Sequence, residues 1–300
     1  MAGRSRDAPG HSSAMAGTLY VVATPIGNLE DITLRAVRIL RGVELICAED
    51  TRVTRKLLSH LDIHVPMSSA HQHSAGADLD RVVSRLVAGA DVALVCDAGT
   101  PGISDPGVPL VRKALEAGVD VCPVPGASAS LAALSVAGLP TGRFLFLGFP
   151  PRTKTDRVAF MAEIARATCT VVIYETSPRI AATLAELHTA AGNRDVCVGR
   201  EITKKFETWL RCGAAEAAAH FAEAPQRGEF TVVVGPPAAV PIDRAAEQAS
   251  AQDEVRRLVA EGVSVRDASR AVAQRRQLSR RALYESIVKE PGALCKEDEA

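Results

Sequence analysis

Glycine, proline and carboxylate residues gather in segments at residues 23–29, 48–52, 97–107 and 125–130. Glycine lets backbone N–H and C=O groups approach a ligand, and proline holds a loop in a fixed shape. For one such segment an ordinary turn is the simpler interpretation. Four of them at the carboxyl edge of one parallel sheet predict a ligand site. None matches GxGxxG or GxxxxGK[ST], so neither a dinucleotide fingerprint nor a P-loop is supported.

The elements that position these segments alternate between short apolar runs and amphipathic stretches. This alternation predicts an α/β domain with a mostly parallel sheet over residues 17–143. The apolar runs predict strands at residues 18–23, 43–48, 91–96 and 119–124, and the other stretches predict helices at 28–41, 52–61, 78–88, 108–117 and 128–137.

A second α/β domain is predicted over residues 144–235, after which the composition changes. Its expected strands are 144–147, 169–174, 195–198 and 230–234, with helices near 156–167, 180–190 and 214–222. Residues 1–16 have no apolar core of the signal-peptide type, and we expect a disordered leader there. A proline-rich linker at 236–248, a helical module at 249–290 and a tail at 291–300 complete the predicted organisation.

Composition excludes several classes of protein. The 300 residues carry 35 basic and 35 acidic side chains, which argues against charge-driven disorder and against a uniformly positive surface. The seven cysteines are widely spaced and form no CxxC pair. We therefore expect free thiols in a reducing cytoplasm, with no disulfide framework and no metal site. No apolar run is long enough to cross a membrane, so we expect no membrane partner.

The helical module is rich in arginine. Between residues 254 and 281 there are eight arginines against three acidic residues, in a pattern of helix, glycine turn, helix and the start of a third helix. This pattern is like a helix-turn-helix, and its charge favours binding to an RNA backbone. A small three-helix bundle with a solvated charged face is the alternative.

Six strings together resemble a known family. They are ATPIGNLEDIT at residues 23–33, AEDTR at 48–52, CDAGTPGISDPG at 96–107, VPGAS at 124–128, IYETSPR at 173–179 and GREITKKFE at 199–207. In this order they resemble the cytidine 2′-O-methyltransferases of small-subunit ribosomal RNA, within the tetrapyrrole (corrin/porphyrin) methylase superfamily. The string at 96–107 is highly specific. His71-Gln-His73-Ser74 departs from the usual His-x-His-Asn, which puts a role for Ser74 in doubt.

The resemblance implies a class III methyltransferase with two α/β domains of the tetrapyrrole-methylase type and a small C-terminal helical module. It implies S-adenosylmethionine in the cleft between the two domains, 16S rRNA of the small ribosomal subunit as partner, and a homodimer in the cytoplasm. Carried over by motif, the cofactor-binding residues are Pro25, Asp97, Ala98, Gly99, Ile103, Ser128, Ala129, Glu175, Phe230 and Thr231. Asp97 and Glu175 could supply negative charge to the sulfonium.

Methyl transfer to a ribose hydroxyl needs an in-line arrangement of oxygen, carbon and sulfur, and a general base near the hydroxyl would help. The candidates are Glu49, Asp50, His71, Glu201 and Lys204. Glu49 and Asp50 could instead cap the following helix, and His71 and His73 could be ordinary loop residues. The sequence does not choose among them.

Two alternative functions remain open at this point. One is a methylase of the same superfamily that acts on a corrin or porphyrin precursor, against which the basic module argues. The other is a non-catalytic nucleic-acid-binding protein whose α/β region senses a ligand.

Overall fold

The computed structural model describes residues 16–69, 76–224, 227–238, 244–276 and 278–288. Most of the predicted leader, His71, His73 and the predicted tail therefore lie outside the described residues. Within the described ranges, no helix has both the length and the apolar character needed to cross a bilayer.

The first part of the chain forms a five-stranded parallel sheet in the order β3-β2-β4-β1-β5. All four residues of β4 are buried, as expected for a strand covered on both faces. The elements are β1 (Thr18–Val22), α1 (Leu34–Gly42), β2 (Leu45–Ala48), α2 (Thr51–His60), β3 (Met67–Ser69), α3 (Gly76–Val87), β4 (Val92–Val95), α4 (Val108–Glu116), β5 (Asp120–Val124) and α5 (Ala129–Ala137).

The second part forms a mixed five-stranded sheet in the order β6-β7-β10-β8-β9, in which only β6 and β7 pair in parallel. Its elements are β6 (Phe144–Gly148), α6 (Lys154–Arg166), β7 (Thr170–Thr176), α7 (Ile180–Ala191), β8 (Asp195–Arg200), β9 (Thr208–Gly213), α8 (Ala214–Glu223) and β10 (Glu229–Val234).

Helix α5 joins the two sheets into one compact unit that extends to Pro237. It follows the last strand of the first sheet, but Ala133 and Leu134 pack with Val172 and Val233 of the second sheet. Helix α5 is apolar on nearly every side, as expected for a helix that packs between two sheets. The division into domains at residues 143 and 144 stays a prediction.

A second compact unit begins at Ala238 and contains α9 (Arg244–Ala260), α10 (Val265–Arg276) and α11 (Arg280–Val288). The three helices bury a small core that includes Val255, Val272 and Leu283. Six of the eight arginines form ion pairs with neighbouring carboxylates, and these arginines are Arg256, Arg257, Arg270, Arg275, Arg276 and Arg281.

The structure corrects several predicted boundaries. The predicted helix 28–41 is broken, because Asn28 caps a single 3-10 turn at Leu29–Asp31 and Thr33 then caps α1. Strands β3 and β9 were not predicted. Helix α9 begins at Arg244, so the second part of the predicted linker 236–248 is helical.

Candidate active site

A cleft of about 260 Å³ lies between the two sheets, at the carboxyl edge of the first. Four loops of the first sheet form one part of its walls, and β7, the β8–β9 connection and β10 of the second sheet form the other. The apolar and aromatic side chains of the lining belong to Ile26, Ile103, Phe149, Tyr174, Ile202 and Phe230, and the carboxylates belong to Glu49, Asp97, Asp105, Glu175, Glu201 and Glu229.

The loop after β4 is fixed against the loop after β1 by backbone hydrogen bonds. Gly99 N donates to Thr24 O at 3.1 Å, and Thr24 N donates to Gly99 O at 2.8 Å. Gly99 has φ +87°, a left-handed conformation that glycine adopts without a Cβ penalty. A Cβ at this position would have ordinary contacts, with Ile26 as its nearest neighbour at 3.5 Å, so the conformation rather than space requires glycine.

Three carboxylates of the first sheet gather on one side of the cleft. Asp97 N donates to Glu49 Oε2 at 3.3 Å, and Asp97 Oδ1 accepts from Asp50 N at 3.0 Å. Asp105 belongs to the same loop as Asp97, lies close to both Glu49 and Asp97, and accepts a hydrogen bond from the Cys96 thiol. These contacts bring the loops after β2 and β4 together.

Asp105 has a strongly perturbed carboxyl. Its partial burial raises its pKa, the Cys96 hydrogen bond opposes this, and the charges of Glu49 and Asp97 add to it, so that the pKa reaches about 6. A carboxyl with this pKa can exchange a proton near neutral pH.

Asp50 has a different role from that of its neighbour Glu49. Its side chain accepts from Arg52 N at 2.8 Å and so caps α2, and its carboxylate forms an ion pair with Arg52 at 2.6 Å. The hydrogen bonds from Arg52 hold the pKa of Asp50 at about 2. Asp50 does not line the cleft, and the capping interpretation therefore fits the structure.

The second sheet contributes a strained turn to the opposite wall. Glu201 and Thr203 both have positive φ, at +50° and +67°. Lys204 Nζ lies 2.9 Å from Glu201 Oε1 and 2.9 Å from Glu229 Oε2. A Cβ on Gly27 would come within 2.3 Å of the Lys204 side chain, so Lys204 packs directly on the loop after β1. Strain of this kind persists only where surrounding contacts hold it, as at functional sites.

The charges in this turn remain fixed near neutral pH. Burial alone would lower the pKa of Lys204, but its bonds to Glu229 and Glu201 outweigh burial and raise it. Burial alone would raise the pKa of Glu201, but the Glu229 backbone N–H and Lys204 outweigh it and lower the pKa. Neither group is suited to accept a proton at neutral pH.

Glu175 lines the cleft, and two arginines balance the charge of its carboxylate. Its side chain is fully buried, Oε2 accepts from Thr183 Oγ1 at 2.6 Å, and Oε1 accepts from Thr176 N at 2.8 Å. Arg157 Nη1 lies 3.9 Å and Arg179 Nε 3.5 Å from the carboxylate. Two arginines therefore balance the charge of Glu175, and these contacts do not add support to the prediction that Glu175 supplies negative charge to a sulfonium.

Tyr174 connects the two halves of the site. Its hydroxyl accepts from Ser130 N, in the first turn of α5, at 3.2 Å. Its ring contacts that of Phe149 with centroids 5.4 Å apart, and Phe149 is half exposed at the cleft. The first turn of α5 therefore holds Ser128 and Ala129 at the cleft beside an aromatic wall.

Most of the residues proposed from the sequence come together in this cleft. Its lining includes Asp97, Ala98, Gly99, Ile103, Ser128, Ala129, Glu175, Phe230 and Thr231, together with the base candidates Glu49, Glu201 and Lys204. Pro25 and Asp50 do not line it, and Pro25 instead faces a smaller neighbouring pocket. His71 lies outside the described residues.

Sequence reasoning missed Asp105, Phe149, Tyr174 and Glu229, all of which line the cleft. Asp105 and Tyr174 lie inside quoted motifs, at residues 96–107 and 173–179, so the signal was present. Their roles depend on contacts between distant segments, which the motifs do not reveal.

The lining fits an adenosyl sulfonium. Glu49, Asp97 and Asp105 give one side of the cleft an excess of negative charge for a cation, and Phe149 and Ile103 offer apolar surface for a purine. The residues that would hold an adenosyl sulfonium are Ala98, Gly99, Ile103, Ser128, Ala129, Phe230 and Thr231. Among the residues that the structure describes, no group of three or more His, Cys, Asp or Glu could hold a metal ion.

Residues 18–218 match the family model described as tetrapyrrole (corrin/porphyrin) methylases. A protein of Synechocystis sp. named ribosomal RNA small subunit methyltransferase I is 44% identical over 271 residues, which cover 90% of this chain and 96% of that relative. A relative of the same name from Halalkalibacterium halodurans is 42% identical and covers 89% of this chain and 93% of its own length.

Solved structures share the fold at low sequence identity. Cobalt precorrin-4 methyltransferase superposes with a TM-score of 0.57 at 17% identity, covering 73% of this chain and 94% of that one. Diphthine synthase superposes with a TM-score of 0.55 at 14% identity, covering 73% and 90%. The chain therefore belongs to the tetrapyrrole (corrin/porphyrin) methylase family, together with its relatives named ribosomal RNA small subunit methyltransferase I.

Proposed function

We propose that this protein is an S-adenosylmethionine-dependent methyltransferase that acts on the ribose 2′-hydroxyl of a cytidine in 16S ribosomal RNA. The observation that carries the proposal is the cleft, in which the residues of the shared motifs converge around Asp97 and Glu49. Relatives that match nine-tenths of the chain support the RNA substrate.

When bound, S-adenosylmethionine supplies a methyl group made electrophilic by the sulfonium. The protein aligns this group with the acceptor, which is catalysis by proximity. The loop of Ala98 and Gly99 and the first turn of α5 would hold the ligand from one side, and Phe230 and Thr231 would hold it from the other. The carboxylates of Glu49 and Asp97 favour the cation.

Asp105 is the group that we propose as proton acceptor for the 2′-hydroxyl. It lines the cleft, and its pKa of about 6 leaves it ionised at neutral pH yet closer to neutrality than an ordinary aspartate. Asp50 points to Arg52, Lys204 stays protonated, and Glu201 is held by Lys204. Glu49 remains a second carboxylate beside the same space.

The charge of the cleft disfavours a corrin or porphyrin precursor. Such substrates carry several carboxylates, whereas the described lining has six acidic side chains and the single cation Lys204, which is already paired. Even with Glu175 neutralised by its arginines, negative charge is in excess. Like charges repel in a cleft of low dielectric.

The C-terminal helical unit is proposed to bind the RNA backbone. Most of its described arginines are exposed even where they form ion pairs, as for Arg281 with an 88% exposed side chain. Exposed pairs are weak, so a phosphate can compete for the guanidinium. Arg266 and Arg280 have no ion pair within the described part of the chain.

We also propose a homodimer that acts in the cytoplasm, where ribosomal subunits are found. The support is the family resemblance and the exposure of Leu131 and Val136 on α5, at 57% and 44%. Light scattering of the purified protein tests the dimer, since a monomer at micromolar concentration would contradict it.

The proposed reaction is tested with purified protein, methyl-labelled S-adenosylmethionine and small ribosomal subunits from a strain that lacks the enzyme. The expected result is label in 16S rRNA that resists alkaline cleavage at one cytidine. Transfer to the base, or no transfer to rRNA, would contradict the proposal.

A further inference from the structure

A second pocket of about 180 Å³ lies beside the cleft, between the loop after β1 and helix α2. Pro25 and Leu29 line it from the loop, and Val53, Thr54 and Leu57 line it from α2. We call it the α2 pocket. Its walls are mostly apolar, and apart from Pro25 and Asp97 none of its lining residues has been given a role in binding the cofactor or in catalysis.

One residue of the α2 pocket lining, Thr54, has a buried hydroxyl without a partner. Thr54 is only 3% exposed, and its Oγ1 has no hydrogen-bond partner among the described residues. Leaving such a group unpaired costs free energy that a bound ligand could recover. A hydroxyl both donates and accepts, so it can pair with the edge of a polar ring.

The size of the α2 pocket limits its occupant. A cavity of about 150 Å³ lined by apolar side chains holds one benzene ring. A volume of about 180 Å³ therefore admits a single six-membered ring with its substituents, and it is too small for a nucleotide or an adenosyl group.

The position of the α2 pocket links it to the reaction. Asp97 lines both the pocket and the cleft, so a ring in the pocket would place an attached sugar near Asp97 and Glu49. Lys56 lines the pocket, and both Lys56 and its neighbour in sequence, Arg55, are exposed. These two cations could bind phosphates. A nucleobase attached to a sugar that has a phosphate on either side is a nucleotide within a strand, and the proposed substrate makes that strand RNA.

We propose that the α2 pocket receives the pyrimidine base of the target nucleotide, unstacked from the RNA, with Thr54 Oγ1 paired to its edge. Enzymes that modify nucleotides take the base out of its stack and hold it between apolar side chains, with hydrogen bonds to its edge. This assignment rests on the proposed rRNA methylation and adds to it the place where the base is recognised.

Two variants test the proposal with small ribosomal subunits as substrate. Val53→Phe should fill the pocket and lower kcat/KM at least 10-fold, and Val158→Phe in α6 is its matched control, since Val158 is 65% exposed and does not line the pocket. Thr54→Val should lower kcat/KM roughly 3- to 10-fold, as expected for one lost hydrogen bond. Thr189→Val is its control, because Thr189 bonds only within α7.

Two further readouts separate recognition from structure. Thr54→Val should leave the melting temperature unchanged or raise it, because it removes an unpaired buried hydroxyl. The affinity for S-adenosylmethionine, measured by calorimetry, should stay within about 2-fold for both variants, which is under about 0.5 kcal/mol.

Wild-type kcat/KM in both variants would overturn the assignment, and so would a matching loss of cofactor affinity, which would make the pocket part of the cofactor site. If the wild-type protein transferred no methyl group to rRNA, the proposed function would fail, and the assignment would fail with it.

Discussion

Four carboxylates in and beside the cleft have different surroundings. Asp50, Glu49, Asp97 and Asp105 lie in two loops that meet at the edge of the first sheet. Asp50 is held ionised by an arginine, whereas Asp105 is half-buried among other carboxylates. Environments that separate pKa values in this way also separate roles.

Asp105→Asn should lower the rate of methyl transfer about 100-fold, because a positioned base contributes roughly this much. In the wild-type protein the rate should fall as pH drops below about 6, where Asp105 takes up a proton, and this limb should be absent from the variant. Asp120→Asn, at the exposed start of β5, is the matched control. If the rate of the Asp105→Asn variant still fell below about pH 6, another group would be the general base.

The same substitution should not weaken the fold. The pKa of Asp105 lies above its ordinary value in the folded state, so ionising this group opposes folding at neutral pH. After screening by solvent, Asp105→Asn should raise the free energy of unfolding at pH 7 by ~1 kcal/mol. The gain should vanish below about pH 4, where the carboxyl is protonated in both states.

Gly99→Ala tests the left-handed turn of the loop after β4, which we propose to bind S-adenosylmethionine. An alanine at φ +87° costs roughly 1–2 kcal/mol, and relief of this strain would pull the loop away from Thr24. The affinity for S-adenosylmethionine should fall at least 10-fold in calorimetry. Gly42→Ala, at the end of α1 with open space around it, should leave the affinity unchanged. Equal affinities in the two variants would remove this loop from the site.

At the scale of the elements, a buried ion-pair network fixes the wall that carries Tyr174. Glu175 on β7 is bound by Arg157 of α6, by Arg179 and by Thr183 of α7, so one carboxylate joins three elements. Removal of one partner from such a network leaves the other charges buried and unbalanced.

Glu175→Gln should therefore lower the free energy of unfolding by about 3 kcal/mol or more in urea denaturation. Glu186→Gln is the matched control, because Glu186 also binds Arg157 but its side chain is 44% exposed, and it should cost under about 1 kcal/mol. Similar losses in the two variants would show that the burial of Glu175 does not determine how much it contributes to the free energy of unfolding.

The sequence predicted the elements that have strong local signals. Strands β4 and β10 lie where their apolar runs predict them, and the motif at residues 96–107 forms the loop after β4. The family resemblance is confirmed. Short β3 and the exposed edge strand β9 have weak patterns and were missed. Asp105 and Tyr174 were missed as site residues because their environments arise from Glu49 and Ser130, far away in sequence.

At the scale of the whole molecule, the chain combines a compact methylase unit that extends to Pro237 with a helical unit from Ala238. All described residues of the cleft belong to the first unit. The arginines that could meet phosphates of RNA are concentrated in the second. Binding of the cofactor and binding of the RNA should therefore be separable.

Truncation after Pro237 should weaken binding to small ribosomal subunits and flatten its dependence on salt, because each lost phosphate contact lowers the slope by about 1. The affinity for S-adenosylmethionine should stay unchanged in calorimetry. A double variant, Arg266→Gln with Arg280→Gln, should reduce the slope in the same direction while leaving the three-helix core intact. A truncated protein with the full-length salt slope would restrict RNA contacts to the first unit.

Mass spectrometry of 16S rRNA from a strain without the gene tests whether this protein methylates one ribose of that RNA. We expect one cytidine to lack the methyl group on its 2′-oxygen, the wild-type gene to restore this methyl group, and the Asp105→Asn gene to restore little of it. The same methylation of 16S rRNA in the presence and absence of the gene would show that the protein does not catalyse this reaction.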